Sequence, residues 1–237
     1  MRGAFEQTGT AMSSALNPSE ARLLTDRLRN SVGPGLRYDR ERTISEFGGN
    51  LQMVLQGGVL RQRFLTDGRH QTTAIYYSDD VINLSRFVRD TGGADHFLAL
   101  RGTVLASVSP EMVKQLREMS QSRIDGMAAL VVRELDIARE RLICVGQRGA
   151  LESMAHFFCE ASIRARTRGN IGKRVYLPLT QEALAGLLGV SSVHVNRTLQ
   201  QLRATGFLDY SDYHLVIHDF EALADLGEFD GAYLAPV

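Results

Sequence analysis

The sequence predicts an α+β fold: an N-terminal β-roll of double-stranded jelly-roll type, one long helix, and a C-terminal helical domain closed by a β-hairpin. Three observations carry that reading. From about Gly33 to Ser109, short runs rich in β-branched and aromatic residues (LQMVL, VLRQRFL, TTAIYY, HFLAL, TVLASV) are punctuated by Gly-Gly, Asp-Gly and Asp-Asp. From Pro110 the pattern becomes helical and stays so for a long way. Beyond Gly146 shorter apolar stripes alternate with corners built on Gly and Pro. The expected division is therefore 1–109 for a helix and the roll, 110–145 for the long helix, and 146–237 for the C-terminal domain.

The first element is a short helix in NPSEARLLTDRLRN. Asn17 can cap it, Pro18 suits the first helical position, Glu20 completes a box-like start, and Leu23, Leu24 and Leu28 supply an apolar stripe. In the roll, VLRQRFLTDGRHQTTAIYY is the clearest hairpin. Asp67-Gly68 lies at its turn and suits the positive φ angles that such turns require. Many short strands at close spacing favour a compact roll over a parallel sheet.

In the long helix Ile124, Val131, Ala138 and Val145 repeat every seven residues, and Ala128, Leu135 and Leu142 fill the intervening positions. An a/d seam flanked by charges belongs to a helix paired with another helix. A small roll can hardly cover a helix of this length, so the seam predicts a homodimer. Gly146 and Gly149 end the pattern as a hinge, and a further helix is expected from Ala150 to Arg168.

Composition bounds the function. With 44% apolar and 23% charged residues, the chain of 237 residues buries real cores and is not disordered. Cys144 and Cys159 are too few for a disulfide framework, which suits a reducing compartment. The N-terminus lacks a signal-peptide core, and no apolar run approaches the roughly 20 residues that span a bilayer. A cytoplasmic protein without a membrane partner is expected. The net charge is zero but unevenly spread. Gly146 to Gly206 carries eight Lys/Arg against three acids, whereas Phe207 to Val237 carries seven acids and no Lys or Arg. A local basic block matters because charge attraction is screened within about 10 Å at 0.1 M salt.

The chemistry-bearing stretch is LPLTQEALAGLLGVSSVHVNRTLQQLRATGFL. Val175, Tyr176 and Leu177 look like a short strand, and Thr180 is a good N-cap for a helix Gln181 to Leu188. Ala185 is small where a second helix would cross, Gly189 can turn left-handed, and Leu184, Leu188 and Val190 flank the corner. The next helix, Ser192 to Ala204, divides into a packing face (Val195, Leu199, Leu202, with Thr198 at its edge) and a face of Ser192, Val193, Asn196, Arg197 and Gln200. A guanidinium fork, an amide and short groups can read base edges in the major groove. FLDY and YHLVI around Ser211-Asp212 read as a two-stranded wing.

This stretch resembles the winged helix-turn-helix of the Crp/Fnr transcription-regulator family, and the resemblance extends over nearly the whole chain. VLQGGVLRQRFLTDGRHQTTAIYYSDDVINL is similar to that family's roll hairpin. The resemblance implies a dimeric regulator of double-stranded DNA with a palindromic operator, and RNA polymerase as a further partner. It implies that Arg197 contacts guanine, that Ser192, Val193 and Asn196 are variable base-reading positions, and that Thr180, Gln181 and Ser191 hold phosphates. Two departures stand out: Val193 replaces an acidic residue common in the family, and Thr198 a usual aliphatic.

Family members that bind cyclic nucleotides share a Gly-Glu pair and a later Arg-Ser or Arg-Thr. Here the first corresponds to Asp79-Asp80 and the second falls near Gly93-Ala94, with Arg86, Arg89 and Arg101 out of register. Without the arginine a buried phosphate lacks its counter-charge, which argues against a cyclic nucleotide. Two cysteines cannot supply the thiolates of an iron–sulfur cluster. His70 and His96 lie in the roll and leave haem as an alternative, though a lone histidine there is usually surface; Cys159 beside Phe157 and Phe158 reads as a core thiol, and His156 with Cys159 as too few ligands for zinc. No metal, cofactor or catalytic constellation is expected. The competing readings are a thiol-redox sensor using Cys144 or Cys159 and a ligand-binding interaction module.

Overall fold

A computed structural model of the chain describes residues 18–44, 47, 50–84, 95–118, 121–165 and 174–234. Asn17, Arg86, Arg89, Gly93, Ala94, Arg166, Arg168 and Lys173 lie outside them.

Helix α1 (Pro18–Ser31) buries Ala21, Leu24 and Leu28. Leu23 is exposed: at 100° per residue the i, i+3, i+7 spacing selects Ala21 rather than Leu23. The roll comprises β1 (Leu36–Tyr38), β2 (Arg42–Ile44), β3 (Gln52–Gln56), β4 (Gly58–Phe64), β5 (His70–Tyr77), β6 (Val81–Ile82), β7 (Asp95–Ala99) and β8 (Thr103–Ser107). They form two antiparallel four-stranded sheets, ordered β1-β8-β3-β6 and β2-β7-β4-β5. Val54, Val59, Tyr76, Ile82, Phe97 and Leu105 fill one core of the roll, and a second lies beneath α1.

The predicted hairpin is β4–β5, closing from Gly58↔Tyr77 to Phe64↔His70. Its turn spans Leu65 to Arg69 and is wider than a two-residue corner, so only Gly68 takes a positive φ (85°), while Asp67 accepts from the Arg69 amide (3.0 Å).

The expected continuous helix from Pro110 is two helices. Ser109 caps α2 (Pro110–Arg117), accepting from the Met112 amide at 3.2 Å, and α2 seats Leu116 in the roll core. A separate helix, α3 (Gln121–Gly146), lies against α1. Gly126 permits that approach, since a Cβ there would stand 3.0 Å from the Glu20 carbonyl oxygen. Thus α1 and the roll cover one face of α3 at Met127, Ala129 and Ile137. The other face is an apolar stripe of Ile124, Val131 (39% exposed), Leu135 (47%), Ala138, Leu142 (73%) and Val145, with Ala128 half-buried.

After the break at 147–149 comes α4 (Ala150–Arg164), with Ala165 at its C-cap and its residues Ser153 to Ser162 all buried; the rest of the expected span to Arg168 lies outside the described residues. Around it pack α5 (Gln181–Leu188), α6 (Ser192–Ala204), a sheet of β9 (Arg174–Tyr176), β10 (Leu208–Ser211) and β11 (His214–Ile217) in the order β10-β11-β9, α7 (Phe220–Leu226) and a 3-10 turn, Gly231–Leu234. Met154, Phe158, Leu184, Val195, Leu202 and Leu215 centre this core, and Leu60, Ile75, Tyr77 and Leu100 of the roll join it. Among the described residues no helix is long and apolar enough to cross a membrane.

Candidate nucleic-acid interface

Local capping chemistry sets the bounds of α5 and α6. The Thr180 hydroxyl accepts from the Ala183 amide (3.1 Å) to start α5, and Gly189 ends it in the left-handed region (φ 69°). Ser191 then accepts from the His194 amide (3.3 Å) to start α6. The strand leading into α5 is pinned by the Tyr210 hydroxyl, shared between the Leu177 and Leu179 carbonyls at 2.7 and 2.8 Å. The Arg203 guanidinium donates to the Tyr210 carbonyl and ties α6 to the wing.

On α6, Val195, Leu199, Leu202 and also Thr198 are buried, so Thr198 belongs to the packing face rather than its edge. Ser192, Val193 (82% exposed), Asn196, Arg197 and Gln200 are all exposed, as are Ser191 and Gln181, with Thr180 half-buried. The structure thus brings the sequence-predicted residues onto one side of α6 and the N-terminus of α5. His194, in the first turn of α6, is exposed as well. Among the described residues no acid pairs with Arg197.

The basic block is less continuous than its composition suggests. Arg148 is drawn inward to Glu140 (3.2 Å) and Glu228 (3.6 Å). Arg164 is buried between Glu160 (2.7 Å) and Asp80 (3.0 Å) and also donates to the Ile75 carbonyl. Burial alone would raise the Glu160 carboxyl, but Arg164 and Arg141 hold it below the usual range. These two arginines join elements and are not free for a phosphate. The roll touches the other domain again where Gln71 donates to the Gly186 carbonyl (2.9 Å).

The thiols have no activated environment. Burial pushes Cys159 up to about 12, and burial raises Cys144 despite the Arg148 guanidinium 3.2 Å from its sulfur. Reactivity needs the thiolate, so the thiol-redox reading has no support here. His156 is held between the Gly227 carbonyl and the Tyr233 hydroxyl, both at 3.1 Å, and does not pair with Cys159. His70 and His96 pack on Phe64. Among the described residues no group of three or more His, Cys, Asp or Glu could hold a metal. Asp79 pairs with Arg29, and Asp80 is engaged by the Tyr77 amide and Arg164. A cavity of about 400 Å³ opens beside them, between β5 and α3.

A capped helix-turn-helix with a three-stranded wing, an exposed polar face on its second helix and a β-roll packed behind it define a winged helix-turn-helix protein with an attached β-roll domain. Residues 152–226 match the Crp-like helix-turn-helix domain family. The chain is 26% identical over 200 residues (83% of this chain, 81% of the relative) to the nitrogen fixation regulation protein FixK of Bradyrhizobium diazoefficiens. It is 24% identical over 238 residues (94% and 96%) to a probable transcriptional activator of Rhizobium leguminosarum bv. viciae. The fold superposes on FixK2 from Bradyrhizobium japonicum with a TM-score of 0.69 at 21% identity, covering 82% of this chain and 96% of that one. It superposes on a CRP-family transcriptional regulator from Thermus thermophilus with a TM-score of 0.62 at 19% identity, covering 82% and 97%. Residues 152–226 thus carry a Crp-like helix-turn-helix domain, and the chain is similar over most of its length to transcription regulators.

Proposed function

We propose that this protein is a homodimeric, sequence-specific DNA-binding regulator that places α6 in the major groove of a palindromic operator. The observation that carries this reading is the division of α6: a buried packing face holds the helix rigid while Ser192, Val193, Asn196, Arg197 and Gln200 stand free. Thr180, Gln181 and Ser191, at two helix N-termini, are placed to bind phosphates through backbone dipoles and hydroxyls. The exposed stripe of α3 (Ile124, Val131, Leu135, Ala138, Leu142, with Ala128) joins two copies, and the roll receives a signal other than a cyclic nucleotide. The working compartment is the cytoplasm and the further partner RNA polymerase. Relatives named as a transcriptional activator and a nitrogen fixation regulation protein support a role in gene control.

The test is capture of sheared genomic fragments by the purified protein. Enriched fragments should share an inverted repeat with half-sites about one helical turn, 34–36 Å, apart. Binding to a recovered fragment should weaken with salt at about −0.9 in log K per neutralised phosphate. Fragments without a common repeat, or salt-insensitive binding, would favour a protein-docking module instead.

A further inference from the structure

We propose that residues 227–234 form a strap across the break at 147–149, and that Tyr233, its clasp, makes the regulator selective for the spacing between operator half-sites. This rests on the proposed reading of a dimer on a palindromic operator. The segment lies beyond residues 152–226, the stretch matched to the helix-turn-helix family, and beyond the base-reading face of α6.

A connection as short as 147–149 limits how far α4 can stray from α3 but leaves their angle open. Contacts alongside the break must set that angle. At Gly227 the chain leaves α7 and packs directly on α4, since a Cβ there would stand 2.4 Å from the His156 amide nitrogen. Glu228 follows in the left-handed region (φ 46°), a conformation that a residue with a side chain adopts at a cost. There Arg148, from the break itself, donates to the Glu228 carbonyl (3.3 Å) and lies 3.6 Å from its carboxylate. The same guanidinium donates to Glu140 of α3 (3.2 Å). The 3-10 turn then touches both α3 and α4, with Leu234 buried.

Tyr233 closes the loop. Despite its burial, Glu160 is held ionised by Arg164 and Arg141, so it can only accept. The Tyr233 hydroxyl gives it a hydrogen bond at 2.9 Å, and the hydroxyl oxygen lies 3.1 Å from Nε2 of His156. The other ring nitrogen of His156 faces the Gly227 carbonyl at 3.1 Å. One hydroxyl thus joins the end of the strap to its beginning and to Glu160, the carboxylate that Arg141 of α3 and Arg164 of α4 share. Removing it leaves the Arg164–Asp80 pair with the roll in place and loosens only the side facing α3.

In a dimer joined along α3, the angle between α3 and α4 sets the separation of the two copies of α6. One base pair inserted between half-sites moves their centres by about 3.4 Å and turns one against the other by about 35°. A clasped mount resists that displacement; a released one follows it.

The experiment is competition binding of the full-length protein to a recovered operator, to versions with one central base pair added or removed, and to an isolated half-site. The parent should bind the altered spacings at least about tenfold more weakly than the native one. Tyr233→Phe, which deletes only the hydroxyl, should shrink that ratio by at least about threefold, and Tyr233→Ala by more. Arg148→Gln, which frees the break from Glu228, should act in the same direction. Half-site affinity should stay within about twofold of the parent in all three. A loss of folded protein scales every operator alike and leaves the ratio unmoved, so the ratio isolates positioning from stability. A parent indifferent to spacing, or a ratio that Tyr233→Phe and Arg148→Gln both leave unchanged, overturns this inference alone. A parent that binds no inverted repeat overturns the reading beneath it as well.

Discussion

Leu135→Asp should convert the protein to monomers. Leu135 is 47% exposed on the outer stripe of α3, in line with Val131, Ala138 and Leu142. Burying a whole leucine contributes about 1.5–3 kcal/mol, so completing the burial of this one contributes about 0.7–1.4 kcal/mol. Two-fold symmetry uses the residue twice, for about 1.4–2.8 kcal/mol per dimer. The aspartate forfeits that and also brings two carboxylates into one seam, where desolvation and repulsion cost further kcal/mol. A total of about 4 kcal/mol or more corresponds to a dimer dissociation constant raised about 1,000-fold. Sedimentation velocity over a nanomolar-to-micromolar series reads this directly. Arg139→Asp, on an exposed charged position beside the seam, is the control and should leave the dimer intact. A Leu135→Asp protein that remains dimeric across the series, with unchanged helicity, would refute the stripe as the interface.

Thr180→Ala removes the hydroxyl that caps α5 and should cost about 1 kcal/mol of stability, read as a lower melting temperature and midpoint. Gly227→Ala should destabilise by about 1–3 kcal/mol or more, because its Cβ would stand 2.4 Å from the His156 amide nitrogen; equal melting of variant and parent would show that α7 can shift. Alkaline pH should weaken the fold. Cys159 keeps its proton up to about pH 12 when folded and loses it near its ordinary 9 when unfolded. Its stabilisation is therefore full below about pH 9 and declines by about 1.4 kcal/mol per pH unit from there towards pH 12. Chemical denaturation across that range should show Cys159→Ala with a shallower decline than the parent, and parallel curves would contradict the assignment.

What was legible in the sequence is what local chemistry decides. Thr180, Gly189 and Ser191 punctuate α5 and α6, and both helices lie where those residues place them. The strands of the roll followed in the same way from β-rich runs and their turns. What was not legible depends on distant partners. Arg148 and Arg164 count as basic surface in a composition window, yet each is drawn inward by one nearby acid, Glu140 or Glu160, and one distant acid, Glu228 or Asp80. The single helix expected from Pro110 ran through Glu118 because a helical pattern does not register that Leu116 turns into the roll while α3 turns to α1.

Base reading by Arg197 is the central claim, and competition binding against a panel of single-base operator variants tests it most directly. A bidentate pair from Arg197 to guanine discriminates by about 1–3 kcal/mol. Arg197→Ala should therefore weaken binding to the intact operator by roughly 5- to 150-fold and flatten the preference at one base pair in each half-site. Arg197→Lys should recover attraction to the duplex but only part of that preference, since it lacks the planar fork. An Arg197→Ala protein that loses affinity equally for every operator variant would contradict the account, leaving Arg197 a phosphate contact and moving base reading to Asn196 or Ser192.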